Sequence, residues 1–460
     1  MDEKPEWIEK WSSPSYKIAL VYPPSPFLMD QRVMPPLGLL YLGATLKMAG
    51  HEVALVDFAN VPDWSTDRNM NKLLDAEIVG ITSVTPQFEI AKGIKNWIKD
   101  KDPRKPVLLG GVHASSIPDE CVKEGFDAIA TGEGEQAVLH MIYDYSREKE
   151  FKKIYTEPLI SNLDTLPFPD RDLVDIKSYN YEVGGRKATT YFTQRGCPYR
   201  CSYCESPLMG GFKVRYRSPE SIAMEAKHVI DKYGLTGMMF FDDEFNLDYT
   251  RTRKICALLK PLDIRFRCFA VAAKADETLL RDMKESGCVE VAVGIESGSD
   301  KILKNIHKPA TKAINRKFIE TAKKVGLHVK AFMIVGLPGE TWETIRETKE
   351  FLDEIKIDDV NFSILQVYPG SFIAQSPLEY DLQFGMDYSK SYTTSQPGNY
   401  EKLIQISTSG ISAEEIVKAR NYLEHKFKPQ LWKSETVALN RRDFDEISEM
   451  MEKKNISIDK

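Results

Sequence analysis

The sequence predicts an α/β protein: an N-terminal doubly wound parallel sheet, then a partial (β/α)6 barrel of TIM type and a mainly helical C-terminal segment. Three observations carry that expectation. Short apolar runs rich in β-formers alternate with helically spaced segments in two blocks, one from Lys17 to about 149 and one from Ala188 to about 371. The runs are almost continuously apolar, as strands are when helices cover both faces of a parallel sheet. A proline-bearing stretch with little periodicity, "TEPLISNLDTLPFPDRDLVD", lies between the blocks. At 460 residues the chain is too long for one ordinary core. The expected division is a domain over 1–149, a linker over 150–187, a barrel over 188–371 and a segment over 372–460.

In the first block "KIALVY" (17–22) is a strand, and "PLGLLYLGATLKMAG" (36–50) is a helix closed by glycine. "EVALVDF" (52–58) and "AEIVGITSV" (76–84) are the next strands, and the helical "EIAKGIKNWIKD" follows. "PVLLGGVH" (106–113) and "DAIATGEGE" (127–135) complete five strands. Sheets of this kind bind ligands beyond the C-terminal strand ends, where strand order reverses. Those ends read "YPPSP", "TSVTP", "GGVHAS" and "TGEGE", so Ser83, Thr85, Gly110, Gly111, His113, Gly132 and Glu133 are candidate binding residues. The glycines allow a bulky ligand close to the backbone. His113 has two readings, a ligand contact and a polar helix cap. No GxGxxG follows the first strand, which disfavours a dinucleotide.

The second block has six strands: "ATTYFTQ" (188–194), "GMMFFDD" (237–243), "IRFRCFAV" (264–271), "CVEVAVGI" (288–295), "HVKAFMIVG" (328–336) and "DVNFSILQV" (359–367). Helical segments separate them. Six β/α units suit a three-quarter barrel, with its chemistry again at the C-terminal strand ends. Beyond about 375 the pattern weakens. There "ISAEEIVKARNYLEHKFKPQLW" reads as an amphipathic helix, and "SYTTSQPGNYEKL" as a surface loop or a substrate-shaping one.

Composition narrows the function classes. Net charge is −6 with both signs well mixed, which gives no electrostatic case for nucleic acid or an anionic membrane. No apolar run reaches the length of a membrane span, and "MDEKPEWIEKW" is not a signal peptide. Seven cysteines, mostly scattered, do not make a disulfide framework, so a reducing, cytoplasmic setting is expected.

Three of those cysteines, Cys197, Cys201 and Cys204, fall within "RGCPYRCSYCESP", directly after the first barrel strand. Thiolates so close can face one soft metal centre. Zinc would want a fourth Cys or His at similar spacing, and none occurs. Three thiolates with one ligand missing suit a 4Fe–4S cluster with an open iron. Cys121, Cys256, Cys268 and Cys288 stand singly and read as core residues.

"CPYRCSYC" has the CxxxCxxC spacing of the radical S-adenosylmethionine enzymes, with Tyr203 before the last cysteine. The resemblance runs through the barrel. It also covers the first block, where "MPPLGLLYLGATLKMAGHEV", "LLGGVHAS" and "ATGEGE" are similar to the Rossmann-like domain of the cobalamin-dependent members. It implies three cofactors: a 4Fe–4S cluster on the three cysteines, S-adenosylmethionine on its open iron, and cobalamin. By the same resemblance Asp242, Asp243 and Glu244 of "FFDDEF" meet the methionyl amino group. The other readings of that stretch are a solvated turn and a divalent-metal site. Glu296 and Ser297 of "GIESGS" would meet ribose or the methionyl end, and Gly336 would begin a turn along the adenine, with Glu340 as a helix cap. Two departures stand out. Lys274 occupies the place where related sequences carry arginine ahead of an aspartate, and DxHxxG, the source of a lower cobalt ligand in another cobalamin class, is missing.

The resemblance implies a cobalamin-dependent radical C-methyltransferase that methylates an unactivated sp3 carbon of a peptide, protein or small metabolite through a 5′-deoxyadenosyl radical and methylcobalamin. It also implies a low-potential electron donor such as flavodoxin or ferredoxin. A cyclisation or rearrangement without methyl transfer is the alternative within the family. A non-catalytic iron–sulfur and cobalamin binder is the alternative outside enzymes, and a zinc-stabilised nucleic-acid module lacks both a fourth ligand and a basic face.

Overall fold

Ile18 and Leu20 point to one face of the first strand, Ala19 and Val21 to the other, and all four are buried in separate apolar clusters. That two-sided burial makes the first block a sheet with helices on both faces. The computed structural model describes residues 4–25, 28, 30–61, 63–385, 406–428, 447–449 and 451. The loop "SYTTSQPGNYEKL" lies outside them.

The first sheet comprises β1 (Lys17–Tyr22), β2 (Glu52–Asp57), β3 (Ile78–Thr82), β4 (Val107–Gly110), β5 (Ala128–Thr131) and β6 (Ile154–Thr156). Its order is β2-β1-β3-β4-β5-β6, and every pair is parallel. The chain moves outward from β1 to β2, then returns past β1 to β3. The β1/β3 boundary is therefore the switch point, where the flanking loops diverge and leave a crevice.

The sixth strand corrects the sequence reading. Ile154–Thr156 belongs to the stretch expected to be a linker, yet it pairs with β5. Three residues are too few to show a period. The rest of that stretch is irregular but anchored. Ile160, Leu163 and Leu166 pack on Leu37 and Tyr41. Arg171 is fully buried and donates to Glu225 and to the Thr190 carbonyl, both at 2.8 Å. Arg217 pairs with the same Glu225 carboxylate. One buried anion between two guanidiniums ties the connecting segment to the barrel.

The second block opens with the hairpin β7 (Glu182–Val183) and β8 (Arg186–Tyr191), turned by Gly184 and Gly185 at φ +56° and +73°. Positive φ at both positions is what a two-residue hairpin turn demands. A short antiparallel ribbon follows, β9 (Gln194–Arg195) with β10 (Arg215–Tyr216). Then come β11 (Gly237–Phe240), β12 (Arg265–Phe269), β13 (Cys288–Glu296), β14 (His328–Val335) and β15 (Asp359–Ile364). The sheet order β15-β14-β13-β12-β11-β8-β7 is linear, and the pairs from β8 to β15 are parallel. All six expected barrel strands are present in an open sheet.

Alternation along β14 shows how this sheet curls. Val329, Ala331, Met333 and Val335 are buried in the main apolar cluster, whereas Lys330, Phe332 and Ile334 are half-buried. Strand side chains alternate, so the half-buried set faces the concave side. Phenyl rings of Phe192, Phe241, Phe269 and Phe332 follow one another across that side at centroid separations of 6.3, 6.0 and 5.9 Å. The C-terminal helix forms as expected, over Ala413–Phe427. Ser412 and Glu415 cap it reciprocally, and Arg420 donates to the Phe362 carbonyl of β15 at 3.2 Å.

Candidate active site between two strand-end faces

The C-terminal strand ends of both sheets open onto one cavity of about 1220 Å3. From the first sheet its wall takes Thr82, Thr85, Gly110, Gly111, Gly132 and Glu133. Gly38 and Gly132 border open space, so the backbone there is accessible to a large ligand. Gly111 has φ +99°, and a Cβ on it would meet the Ser83 carbonyl oxygen at 2.6 Å. Two adjacent glycines let β4 turn sharply into the crevice.

Two predicted residues of this face turn elsewhere. His113 is buried behind the wall, its ring 4.1 Å from that of Phe88 and its Nδ1 3.2 Å from the Thr85 hydroxyl. Burial pushes its pKa down to about 4, so the ring is neutral. Ser83 is also buried, its hydroxyl donating to the Val84 carbonyl and its own carbonyl accepting from the His113 N–H. The His113 ring and the Ser83 carbonyl brace the loop after β3 against the loop after β4. Alternation cannot reveal this, because the chain has left the strand by then.

The cysteine loop follows the ribbon strand β9. Gly196 has φ +93°, and a Cβ there would come within 2.7 Å of the Lys213 carbonyl and 2.8 Å of that of Gly210. The Cys197 N–H donates to Gly211, and the Ser206 N–H donates to the Cys204 sulfur at 3.4 Å. All three thiols are half-buried and free of disulfides. Burial raises the pKa of Cys197 to about 12, that of Cys201 to about 11, and that of Cys204 as well. Among the described residues no three His, Cys, Asp or Glu side chains converge tightly enough for a single metal ion. Of the three cysteines, Cys204 lines the cavity. Gly196→Ala should disturb this loop without touching a sulfur. Its expected result is a folded protein that retains less than half the parent's iron after anaerobic reconstitution, read by iron and sulfide analysis.

Next to the loop lies an ionisable cluster. The Asp243 carboxylate accepts from the Ser206 hydroxyl at 2.7 Å and faces the cavity. Glu244 is half-buried, and burial lifts its pKa to about 7. Asp242, expected with them, turns inward. Its oxygens accept from the Thr193 N–H at 2.6 Å, the Thr193 hydroxyl at 2.6 Å and the Gln194 N–H at 3.0 Å, and burial raises its pKa to about 6. Asp242 therefore fixes the approach to the cysteine loop. Glu296 stands at φ +65° after a register shift in β13 and lines the cavity. One of its oxygens accepts from the Tyr203 hydroxyl at 2.9 Å and from the Lys308 ammonium at 3.0 Å.

Ser297 and Gly336 do not reach the cavity. The Ser297 hydroxyl lies 3.2 Å from that of Thr348 and receives the Ser299 N–H. Gly336 donates its N–H to the buried Glu340 carboxylate, and a Cβ on it would meet Ile416 of the C-terminal helix at 3.2 Å. That helix covers the "GLPGE" turn. Glu340 therefore acts by folding back on Gly336, while Thr341 caps the next helix through the Thr344 N–H. Lys274 is exposed, on a short turn beside Asp276.

Sequence reasoning missed the residues that join the two faces. Arg195 donates to Glu133 at 3.0 Å and to Glu135 at 2.6 Å, and Arg215 donates to Glu133 at 2.9 Å. Glu133 also accepts the Ile160 N–H. Its carboxylate, expected at a cofactor, is thus committed to this ionic clamp, where burial is outweighed by the guanidiniums and its pKa falls. Glu205 is a second link, accepting from the Ser116 hydroxyl and the Gly370 N–H at 2.8 Å each. Lys308 was missed too. In the sequence these are ordinary charged residues beside motifs, and only their partners mark them.

Fold and site together define a class in which the strand ends of a doubly wound sheet face the mouth of a cysteine-bearing open barrel across one cavity. The residues fit the groups such a class requires. Three half-buried free thiols sit on one loop with Cys204 at the cavity wall, Gly38 and Gly132 border open space in a cavity of about 1220 Å3, and the Asp243 and Glu296 carboxylates line the same cavity.

Comparison with known proteins agrees. The Radical SAM superfamily profile matches residues 191–352, and the B12 binding domain profile matches residues 31–142. The chain is 33% identical over 403 residues to the uncharacterized methyltransferase PH0819 of Pyrococcus horikoshii, covering 83% of this chain and 87% of that one. It is 28% identical over 448 residues to the cytidylyl-2-hydroxyethylphosphonate methyltransferase of Streptomyces wedmorensis, covering 81% and 82%. To the anaerobic magnesium-protoporphyrin IX monomethyl ester cyclase of Rubrivivax gelatinosus it is 27% identical over 368 residues, covering 74% and 66%. Among solved structures, the radical S-adenosylmethionine methyltransferase TsrM from Kitasatospora setae superposes with a TM-score of 0.65 at 18% identity, covering 83% of this chain and 79% of that one. The cobalamin-dependent S-adenosylmethionine radical enzyme OxsB gives 0.68 at 17% identity, covering 95% and 71%. These two show the fold. The chain belongs to the cobalamin-dependent radical S-adenosylmethionine enzymes.

Proposed function

We propose that this enzyme transfers a methyl group to an unactivated sp3 carbon of a peptide, protein or small metabolite. The observation that carries the reading is the single cavity shared by the two strand-end faces, with Cys204 and Glu296 on one side and Gly110, Gly111 and Gly132 on the other. When bound, the cluster with S-adenosylmethionine supplies hydrogen abstraction and cobalamin supplies the methyl group.

Cys197, Cys201 and Cys204 would hold the cluster. Asp243, Glu244 and Glu296 would bind the amino and ribose groups of S-adenosylmethionine, with Tyr203 steadying Glu296. Thr85 and the glycines after β4 and β5 would contact cobalamin. The Glu133–Arg195–Glu135 clamp fixes the distance between the faces, on which transfer between two bound groups depends. Phe192, Phe241, Phe332, Ile334 and Leu365 line the barrel side of the cavity and keep water from the reacting carbon. A first domain that β6 extends to Thr156, a barrel domain that β7 opens at Glu182, a low-potential donor such as flavodoxin or ferredoxin, and a reducing cytoplasmic setting complete the proposal. Among the described residues no helix is long and apolar enough to cross a membrane.

The test is product analysis on the anaerobically reconstituted enzyme with extracts or candidate acceptors. The expected result is 5′-deoxyadenosine and S-adenosylhomocysteine formed together, about one of each per methyl group gained. Deoxyadenosine with a ring-closed product and no S-adenosylhomocysteine would instead favour a cyclase, the activity named for the Rubrivivax relative. Binding of the cofactors with no turnover of S-adenosylmethionine would leave a non-catalytic binder.

A further inference from the structure

We infer that Lys308 is a positioning residue for the iron–sulfur site: its ammonium, locked onto Glu296 beside the cysteine loop, sets the local field and thereby the cluster's reduction potential. The inference rests on the proposed cluster at Cys197, Cys201 and Cys204.

The local chain is built to deliver this side chain. The helix Asp300–Asn305 ends in a paired closure: His307 donates its N–H to the Lys304 carbonyl at 3.1 Å, and Lys308 donates to Leu303 at 2.9 Å. That pattern requires a left-handed residue between helix end and exit, usually glycine. Here it is His307, at φ +54°, and Pro309 then blocks continuation of the helix. The turn is pinned to the cysteine loop, because the Ser202 N–H donates to the Ile306 carbonyl at 3.0 Å. Lys308 is thereby brought against the segment that carries Cys201.

Its partner is held with equal care. Glu296 is itself left-handed, at φ +65°, which an L side chain rarely adopts. A Cβ on Gly294 would lie 2.2 Å from the Glu296 carboxylate oxygen and 2.9 Å from the Lys308 nitrogen. The glycine clears the space the pair occupies. Non-glycine residues in disfavoured conformations persist where the surroundings hold them, and they gather at functional sites. Two of them flank this one ion pair. The side chains of Lys308 and Glu296 are only 13% and 7% exposed, so solvent screens the pair weakly. The groups facing Lys308 are Tyr203, Glu296, Cys201 and Glu244.

The physical consequence concerns one electron. A thiolate-bound cluster becomes more negative when it takes an electron from a low-potential donor of the flavodoxin or ferredoxin class. A poorly screened cation nearby stabilises that reduced form, and a nearby carboxylate opposes it. Lys308 and Glu296 should therefore move the potential in opposite directions when each is neutralised.

The experiment is a spin-resonance-monitored redox titration of reconstituted protein without S-adenosylmethionine, at matched iron and sulfide content. Lys308→Met should titrate at a more negative potential than the parent, Lys308→Arg close to the parent, and Glu296→Gln at a more positive one. A loaded Lys308→Met protein with the parent's potential overturns the inference, as do shifts of the same sign in the Lys308→Met and Glu296→Gln proteins. Should Lys308→Met fail to hold iron, the Glu296→Gln shift decides alone, and an unchanged or negative value overturns the inference. A parent protein that assembles no cluster overturns the proposed function itself, an outcome separate from the others.

Discussion

Replacing Cys201 by alanine should reduce the iron and sulfide retained after anaerobic reconstitution to background, and 5′-deoxyadenosine formation with it. The thiols lie on one short loop whose backbone is already fixed by Gly196, Gly211 and Ile306, so two remaining sulfurs cannot rearrange to replace the third. Cys201 is the central sulfur, and its backbone carbonyl also accepts the Cys204 N–H at 3.1 Å. Alanine preserves that bond, so the fold should survive while the metal is lost. Burial holds the free thiols protonated at neutral pH, Cys201 near about 11. Iron must displace those protons, so in the parent protein cluster assembly should release acid and quicken between about pH 7 and pH 9. Iron content and the visible absorbance of the variant check the first expectation. A stopped-flow pH series on the parent checks the second.

Arg195→Met should cost about 3–5 kcal/mol, because it leaves a buried carboxylate without its cation. Glu135 is a buried residue whose carboxylate meets the Arg195 guanidinium at 2.6 and 3.2 Å. Glu133 keeps Arg215 and the Ile160 N–H, so Glu135 bears most of the loss. The expected reading is a thermal midpoint lower by roughly 10 °C, together with weaker retention of cobalamin at the loosened faces. The double variant Arg195→Met/Glu135→Met should recover most of the stability, since removing both charges removes the uncompensated anion. It should not recover the spacing of the two faces. A double variant as unstable as the single one would show that the clamp acts by packing rather than by charge.

The sequence was most legible where one residue's requirement repeats or is chemically rare. Buried strands need apolar residues on both faces, so "KIALVY" and "EVALVDF" announced themselves, as did all six barrel strands. The three cysteines were legible because cysteine is rare in the chain, and three of its seven fall within eight residues. Short or one-off features were not. Strand β6 has three residues, below the length at which a period can be seen. Glu133 and Asp242 were legible as important acids, but their oxygens were assigned to ligands, whereas the folded chain uses them for Arg195, Arg215, Thr193 and Gln194.

By itself, then, the sequence determined the two α/β blocks, the cysteine loop and the strand-end side of each sheet at which candidate binding residues gather. These follow from local rules, because periodicity and strand direction are properties of neighbouring residues. Only the tertiary structure decided that Arg195 bridges the two faces and that Lys308 reaches Glu296. Those contacts join residues 60, 62 and 12 positions apart. A charged side chain finds its partner through the packing of whole elements, and no short-range pattern records that outcome.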